Sequence, residues 1–263
     1  MEAALLASPE LPATNLESLK FFLISAAPVA PEKLRAAVQA FRPVMAQAFG
    51  QAEAPFFLTF LSQGDHRRAT QEPGSERLGS CGLPTMFSRV EIMNEDGDLL
   101  PARAVGEIVA RSNLVMKEYY KDPEATRAVS AFGWHHTGDI GFKDEESYVY
   151  IVDRKRDMII SGGFNVFSTE VEARLLAHEA VQDCAVIGVP DEKWGEAVKA
   201  IVELRAGKAA TPEELIAFCR PVLGGVKTPK SIEIWPTLPR SAVGKVLKRA
   251  IRERYWAGRP RAV

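Results

Sequence analysis

The stretch Gly133-Trp134-His135-His136-Thr137-Gly138-Asp139, followed by Tyr148-Val149-Tyr150-Ile151-Val152 and then Asp153-Arg154-Lys155-Arg156-Asp157-Met158-Ile159-Ile160-Ser161-Gly162-Gly163-Phe164-Asn165-Val166, decides the reading of this chain. Three kinds of chemistry fall close together. A carboxylate, Asp139, follows a turn predicted at Gly138, which would point its side chain outward. A dense charge cluster runs from Asp153 to Asp157. Gly162-Gly163 brings backbone within reach of a ligand, because no Cβ intervenes. The apolar run Met158-Ile159-Ile160 is expected to lock the middle of the stretch into a core.

Outward from there, the totals exclude several classes. The 263 residues suffice for one large or two modest domains. With 33 basic and 34 acidic residues the net charge is −1, which gives no electrostatic footprint for nucleic acid. Hydrophobic residues at 46% and charged residues at 25% match an ordinary soluble globular protein. Cys81, Cys184 and Cys219 are far apart and odd in number, which suits reduced thiols rather than a disulfide framework or a zinc site. No apolar run reaches the ~18 residues of a membrane span. The start Met1-Glu2-Ala3-Ala4-Leu5-Leu6 lacks the basic residues of a signal peptide, so a cytoplasmic location is expected.

Taken in order, residues 1–20 read as helix and loop. Leu19 to Ile24 reads as a buried strand ending in Ser25-Ala26-Ala27-Pro28. Pro31-Glu32 opens a helix to Phe41 with Leu34, Ala37, Val38 and Phe41 on one face, and Val44 to Phe49 is a second strand. Strand, helix, strand indicates a parallel α/β layer, whose ligands bind at the carboxyl ends of the strands. Gly64 to Gly82 reads as a long polar loop. Val90 to Met93 and Gly106 to Ala110 read as antiparallel β, and Asp122-Pro123 as the cap and first residue of a helix.

After Asp153 a smaller α+β unit of about 110 residues is expected. Thr169-x-x-Glu172 reads as a capping box, Ala185 to Val189 and Val198 to Leu204 as strands, and Thr211 as the cap of a helix to Arg220. Ile232 and Ile234 mark another strand, and Lys248 to Trp256 a terminal helix.

Four segments, in order, resemble the motifs of the adenylate-forming enzymes: acyl- and aryl-CoA synthetases, luciferases and peptide-synthetase adenylation domains. Gln47 to Glu53 resembles the Tyr-Gly-x-Thr-Glu motif, Trp134 to Asp139 the Thr-Gly-Asp motif, Asp153 to Glu172 the hinge motif, and Pro239 to Val246 the terminal lysine motif. The resemblance covers nearly the whole chain. It implies a fold class of α/β and α+β: residues 1–153 the carboxy-terminal part of an AMP-binding large domain, a parallel α/β layer plus a small antiparallel β subdomain, and residues 154–263 a small C-terminal lid domain. It further implies a truncated large domain. The family's phosphate loop ending in Pro-Lys-Gly belongs upstream of Ser25, and these residues do not include it. The strands Leu19 to Ile24 and Val44 to Phe49 are then expected to lack sheet neighbours and to expose edges and apolar faces.

The same resemblance implies the site, and each residue also has a plainer reading. Asp139 would hold both ribose hydroxyls of the nucleotide through two acceptor oxygens; otherwise it is a solvated turn aspartate. Arg154 would meet ribose or phosphate; otherwise it pairs with Asp153 or Asp157 on the surface. Arg156 stands at the hinge position, where no special chemistry is needed, and alone reads as a solvated charge. Gly163 would border the pantetheine tunnel of coenzyme A, or serve a turn, or both. Lys245 would stabilise charge on the acyl carboxylate and α-phosphate; otherwise it is one cation of the tail Lys245, Lys248, Arg249, Arg252. Pro239 and Val246 rule out a Walker A loop around Gly244-Lys245.

Glu53 would hold Mg²⁺ on the phosphates, one glutamate being enough where phosphate and water complete the shell. Phe49 would stack on adenine, or belong to the core. Ala26, Ala27 and Pro28 would line the other adenine face, with Gly50 and Ala52 in the same nucleotide loop. Ala52 stands where the family has a threonine that donates to the α-phosphate, a loss of roughly 1–3 kcal/mol. His135-His136 lacks metal spacing and reads as structural.

The function implied is an AMP-forming acid–CoA ligase using ATP, Mg²⁺ and coenzyme A on a small-molecule carboxylic acid. Residues 51–55 and 153–157 resemble fatty- or aryl-acid CoA ligases more than peptide-synthetase modules. The alternatives are a non-catalytic adenylate- or CoA-binding or interaction module, half of a split enzyme, and an inactive gene remnant; the partners expected are a missing amino-terminal half or a homo-oligomer.

Overall fold

The structure, a computed structural model, describes residues 5–6, 8–25, 29, 31–55, 57–72, 74–241 and 244–257. It divides into two compact units, Met1–Ile151 and Val152–Val263.

The first unit holds two sheets. β1 (Phe22–Ile24), α1 (Pro31–Phe41) and β2 (Met45–Phe49) form a strand–helix–strand unit whose strands pair in parallel, Leu23 opposite Ala46. Proline at the first helical position and the i, i+3, i+4, i+7 spacing of Leu34, Ala37, Val38 and Phe41 set α1, and all four residues are buried, as expected. β3 (Thr59–Leu61) adds antiparallel to β2 and β4 (Leu83–Pro84) to β3, giving the order β1-β2-β3-β4. β2 is therefore interior rather than the exposed edge expected, because β3 pairs along its other side.

The loop expected from Gly64 to Gly82 is also corrected. It contains α2 (Gln63–Gln71) and a 3-10 turn, Arg77–Gly79. α2 buries only Asp65, His66 and Ala69, so it shows no apolar period; a capping box between Ser62 and Asp65 starts it. β5 (Ser88–Met93), β6 (Gly106–Ser112), α3 (Pro123–Ala128), β7 (His135–Lys143) and β8 (Val149–Arg154) follow, with an antiparallel sheet in the order β5-β6-β7-β8. Asp122 caps α3 through Ala125 N at 2.9 Å. Val90, Ile92, Ile108, Ala110 and Val149 form that sheet's core with Ala54 and Leu58.

The second unit runs β9 (Ile159–Ser161), β10 (Phe164–Val166), α4 (Ser168–Leu176), β11 (Val181–Asp191), β12 (Gly195–Leu204), α5 (Pro212–Lys227), β13 (Ser231–Ile234) and α6 (Lys248–Glu253). The sheet order is β10-β9-β12-β11, with β13 parallel on β12. Cys184-Ala185-Val186-Ile187 is continuously apolar because both faces of β11 are covered. Cys184 and Val186 pack with Val171, Leu175, Leu215 and Cys219 of α4 and α5. Ala185 and Ile187 pack on the other face with Leu238 and Ile251. Met158-Ile159-Ile160 anchors as expected, with Ile159 fully buried in the first of these cores.

Two helix boundaries depart from expectation. Thr211 and Glu214 form a capping box on α5, but the helix passes Pro221 and reaches Lys227, with a non-helical Gly224 near its end. Thr169 and Glu172 form no capping box. α4 begins two residues before that box would start it, at Ser168, whose backbone N–H and hydroxyl both donate to the Asp153 carboxylate. A distant aspartate thus caps the helix, and a negative charge there suits the positive end of its dipole. Thr169 instead donates to the Val152 carbonyl. α6 ends at Glu253, short of Trp256.

Among the described residues no helix is long and apolar enough to cross a membrane. The three cysteines are free thiols, and burial pushes Cys81 up to about 12 and raises Cys184 and Cys219. Cys184 and Cys219 are buried in the second unit's core, and Cys81 is half-buried.

Candidate functional site

Gly138 lies inside β7 rather than at a turn. Val109 opposes His136 and Glu107 opposes Ile140, so Ile108 alone faces Thr137, Gly138 and Asp139. That is a β-bulge, and Gly138 takes the positive φ of 69° it requires. Side chains replace the missing ladder bonds. Thr137 Oγ1 donates to Ile108 O at 2.6 Å, and Gly138 N donates to Glu107 Oε1 at 3.1 Å. The other Glu107 oxygen lies 3.1 Å from His136 Nδ1. Bulges re-aim side chains, and this one leaves Asp139 largely buried, not the outward-pointing turn residue expected.

The segment after β2 meets the bulge. Gln51 and Ala54 close a tight turn through backbone bonds of 3.0 and 3.3 Å, with Ala54 fully buried. Gln51 Nε2 donates to Thr137 O at 2.7 Å and to Asp139 Oδ2 at 3.2 Å. Gln51 Oε1 accepts from His135 Nε2 at 3.1 Å. Glu53, half-buried, accepts from the Tyr119 hydroxyl at 2.6 Å, and its carbonyl accepts from Met116 N at 2.6 Å. The Tyr119 hydroxyl holds the Glu53 carboxyl below its usual range despite burial, and Tyr119 is pushed up to about 12. Burial lowers His135. His135 and His136 are both hydrogen-bonded, and among the described residues no group of three His, Cys, Asp or Glu side chains could hold a metal ion.

The first unit therefore brings the segment Gly50, Gln51, Ala52 and Glu53, just past the end of β2, to Asp139 at the bulge in the middle of β7. Phe49, half-buried, packs against the core of the antiparallel sheet, which supports its plainer reading. Ala52 is exposed. Ala26, Ala27 and Pro28 lie outside the described residues. Gln51 and Tyr119 were not singled out from the sequence. Their partners are 66 to 88 positions away, and Gln51 falls at the variable position of its motif.

In the second unit the expected site residues sit on three separate segments. Arg154 ends β8 and is exposed, and Arg156 lies exposed in a 3-10 turn, Lys155–Asp157. Asp157 of that turn receives Arg252 at 2.6 Å. Gly162 and Gly163 form the two-residue turn of the β9–β10 hairpin, at φ 60° and 81°, as a type I′ turn demands. A Cβ on Gly162 would come within 2.6 Å of the Trp194 ring, whereas one on Gly163 would meet open space in this unit. Lys245 is exposed on a short loop closed by Ser241 N to Lys245 O at 2.8 Å and an Arg240–Val246 bridge.

A family model described as AMP-binding enzyme matches residues 1–120, and one described as AMP-binding enzyme C-terminal domain matches residues 170–245. A medium/long-chain-fatty-acid–CoA ligase of Mycobacterium tuberculosis is 40% identical over 267 residues, covering 99% of this chain and 46% of that protein. A feruloyl-CoA synthase of an Amycolatopsis species is 38% identical, covering 97% and 50%. The amide bond synthetase of Marinactinospora thermotolerans superposes with a TM-score of 0.85 at 37% identity, over 97% of this chain and 51% of that one. The chain belongs to the AMP-binding, adenylate-forming enzyme superfamily. It spans about half the length of the relatives it matches.

Proposed function

We propose that the chain carries the nucleotide-handling portion of an AMP-forming acid–CoA ligase. The observation that carries this reading is the meeting of Asp139, on its bulge within β7, with the Gln51–Ala54 turn that follows β2. Relatives named as CoA ligases support the chemistry. In the first half-reaction a carboxylate oxygen attacks the α-phosphorus of ATP, forming acyl-AMP and releasing pyrophosphate. In the second, the thiol of coenzyme A attacks the acyl carbon, forming acyl-CoA and releasing AMP.

Asp139 would accept hydrogen bonds from the two ribose hydroxyls, and Arg154 would add a donor fork to ribose or phosphate. Lys245 would stabilise charge developing on the α-phosphate and the acyl carboxylate. Gly163 would leave room for the pantetheine arm, and Arg156 would mark the hinge. Glu53 fits the magnesium of ATP: a lone ionised carboxylate, oriented by Tyr119, suits an ion that takes its other ligands from phosphate and water. Magnesium there would offset phosphate charge. The substrate class is a small carboxylic acid, of the fatty or aryl kind.

The test is calorimetric titration of the chain with a non-hydrolysable acyl-adenylate analogue. Micromolar affinity that disappears in Asp139→Ala is the expected result; a folded chain that does not bind overturns the reading. A second reading is a non-catalytic adenylate- or CoA-binding module, or half of a split enzyme. Ala52 favours it, because an exposed methyl stands where the family motif supplies a hydroxyl to the α-phosphate. Acid-dependent pyrophosphate release, with and without a supplied amino-terminal half, separates the two.

A further inference from the structure

We propose that Gln51 is the positioning residue of the diol site, fixing the Asp139 carboxylate so that it receives the vicinal hydroxyls of a ribonucleotide. The inference deepens the nucleotide reading above and rests on it.

A carboxylate on a bulge lacks the full ladder that holds ordinary strand residues in place. Here one residue of β6 faces three of β7. Gln51 makes up the deficit from the turn that follows β2. Its partners are the His135 ring, the Thr137 backbone carbonyl and the Asp139 carboxylate, so a single amide bridges the bulge. The amide can take only one orientation. Thr137 O and Asp139 Oδ2 are both acceptors, so the nitrogen must face them, and the oxygen must face His135. His135 then carries its proton on Nε2.

A primary amide nitrogen has two hydrogens, and these two contacts use both. Gln51 therefore has no N–H left for a ligand and acts through Asp139. Its backbone is set by the Gln51–Ala54 turn on a fully buried Ala54, so the amide starts from a fixed point. The result is a carboxylate oriented before the ligand arrives, which is the condition for converting its hydrogen bonds into affinity.

The experiment measures affinity of the full chain for AMP and for 2′,3′-dideoxy-AMP by calorimetry. The native chain is expected to prefer AMP by about tenfold or more, as hydroxyl bonds to a charged group require. Asp139→Ala should bind both nucleotides alike. Gln51→Met keeps the side-chain bulk without its hydrogen bonds and should lose most of the preference while retaining affinity for the dideoxynucleotide. A merely structural role would weaken both nucleotides together. Gln51→Asn keeps the amide but falls one methylene short, and serves as the second variant should Gln51→Met not fold. Gln51→Glu, which sets a second carboxylate against Asp139, should lose the preference completely. A native chain that binds neither nucleotide, or both equally, overturns the nucleotide reading and this inference with it. Preference lost in Asp139→Ala but kept in Gln51→Met and Gln51→Asn overturns the role of Gln51 alone.

Discussion

The two units bury carboxylates by opposite means. In the first, Asp65 is surrounded by donors: Ser62 N at 3.0 Å, Ser62 Oγ at 2.6 Å, Tyr148 OH at 2.8 Å and the Arg68 guanidinium. Burial pushes its carboxyl up, but these donors outweigh burial and hold it down at about 2. In the second, Glu172 is enclosed by the core with few partners, Lys248 Nζ at 2.7 Å and Val186 N at 2.8 Å. Burial there outweighs the lysine and raises it. Desolvation disfavours charge in both places; the donors outweigh it at Asp65, whereas at Glu172 deeper burial, with the like charge of Asp153, outweighs Lys248 and Val186. Glu53 lies between these cases: half-buried, with a single strong donor, and lowered.

The largest effect is expected at Glu172. Lys248→Met removes the cation and leaves a buried carboxylate behind, which typically costs about 3–5 kcal/mol. The lower end, about 3 kcal/mol, is expected, because a carboxyl already raised escapes by taking a proton. Urea unfolding followed by tryptophan fluorescence checks this, since Trp194, Trp235 and Trp256 lie in the second unit and only Trp134 in the first. Pairing Lys248→Met with Glu172→Gln should recover most of the loss, the amide still accepting from Val186. No recovery would mean that Lys248 matters through its packing and its 2.8 Å bond to Ser168 Oγ.

Glu172 also shows where reading the sequence succeeds and where it stops. Local signals were legible. The apolar stripe of α1 and the caps Asp122 and Thr211 need only neighbours within one or two turns. The same local logic misread Thr169-x-x-Glu172, because the partner of Glu172 lies on α6 and the cap of α4 is Asp153. α2 was missed because a helix burying one alanine, one aspartate and one histidine carries no apolar period, although its Ser62–Asp65 box was present. At the site, Asp139 and Glu53 were legible through the resemblance. The bulge was not, since its register depends on Glu107 and Ile108, and neither was Gln51, whose meaning lies in residues 84 to 88 positions away.

Asp65 sharpens the comparison through pH. Its folded value near 2 lies below the ordinary 3.8, so its contribution is complete above about pH 4 and is lost as pH falls toward 2. The loss should be about 1–2 kcal/mol after solvent screening, confined to the first unit. Glu172 has the opposite sign: a raised carboxyl favours the folded state on acidification through the range between its ordinary and folded values. Amide exchange at α2 and at α4, followed from pH 5 to 2, should therefore show protection falling at α2 before α4. In Asp65→Asn the acid-dependent part of the change at α2 should vanish. Parallel loss in both helices would remove the contrast.

The smallest effect is expected at Glu53. Tyr119→Phe deletes the 2.6 Å bond that lowers its carboxyl. Glu53 is half-buried, so water can take the place of the hydroxyl, and the cost should stay at or below about 1 kcal/mol. The carboxyl should then titrate closer to its ordinary 4.5, read by carbon NMR of a glutamate-labelled chain. The sign follows from the lowered value: what Tyr119 contributes is present above the ordinary carboxylate range and lost as pH falls through the folded one. A moved titration with little loss of stability would mean that Tyr119 orients Glu53 more than it supports the fold. A loss near that of Lys248→Met would instead put Glu53 with Glu172, among carboxylates whose partners hold up the core.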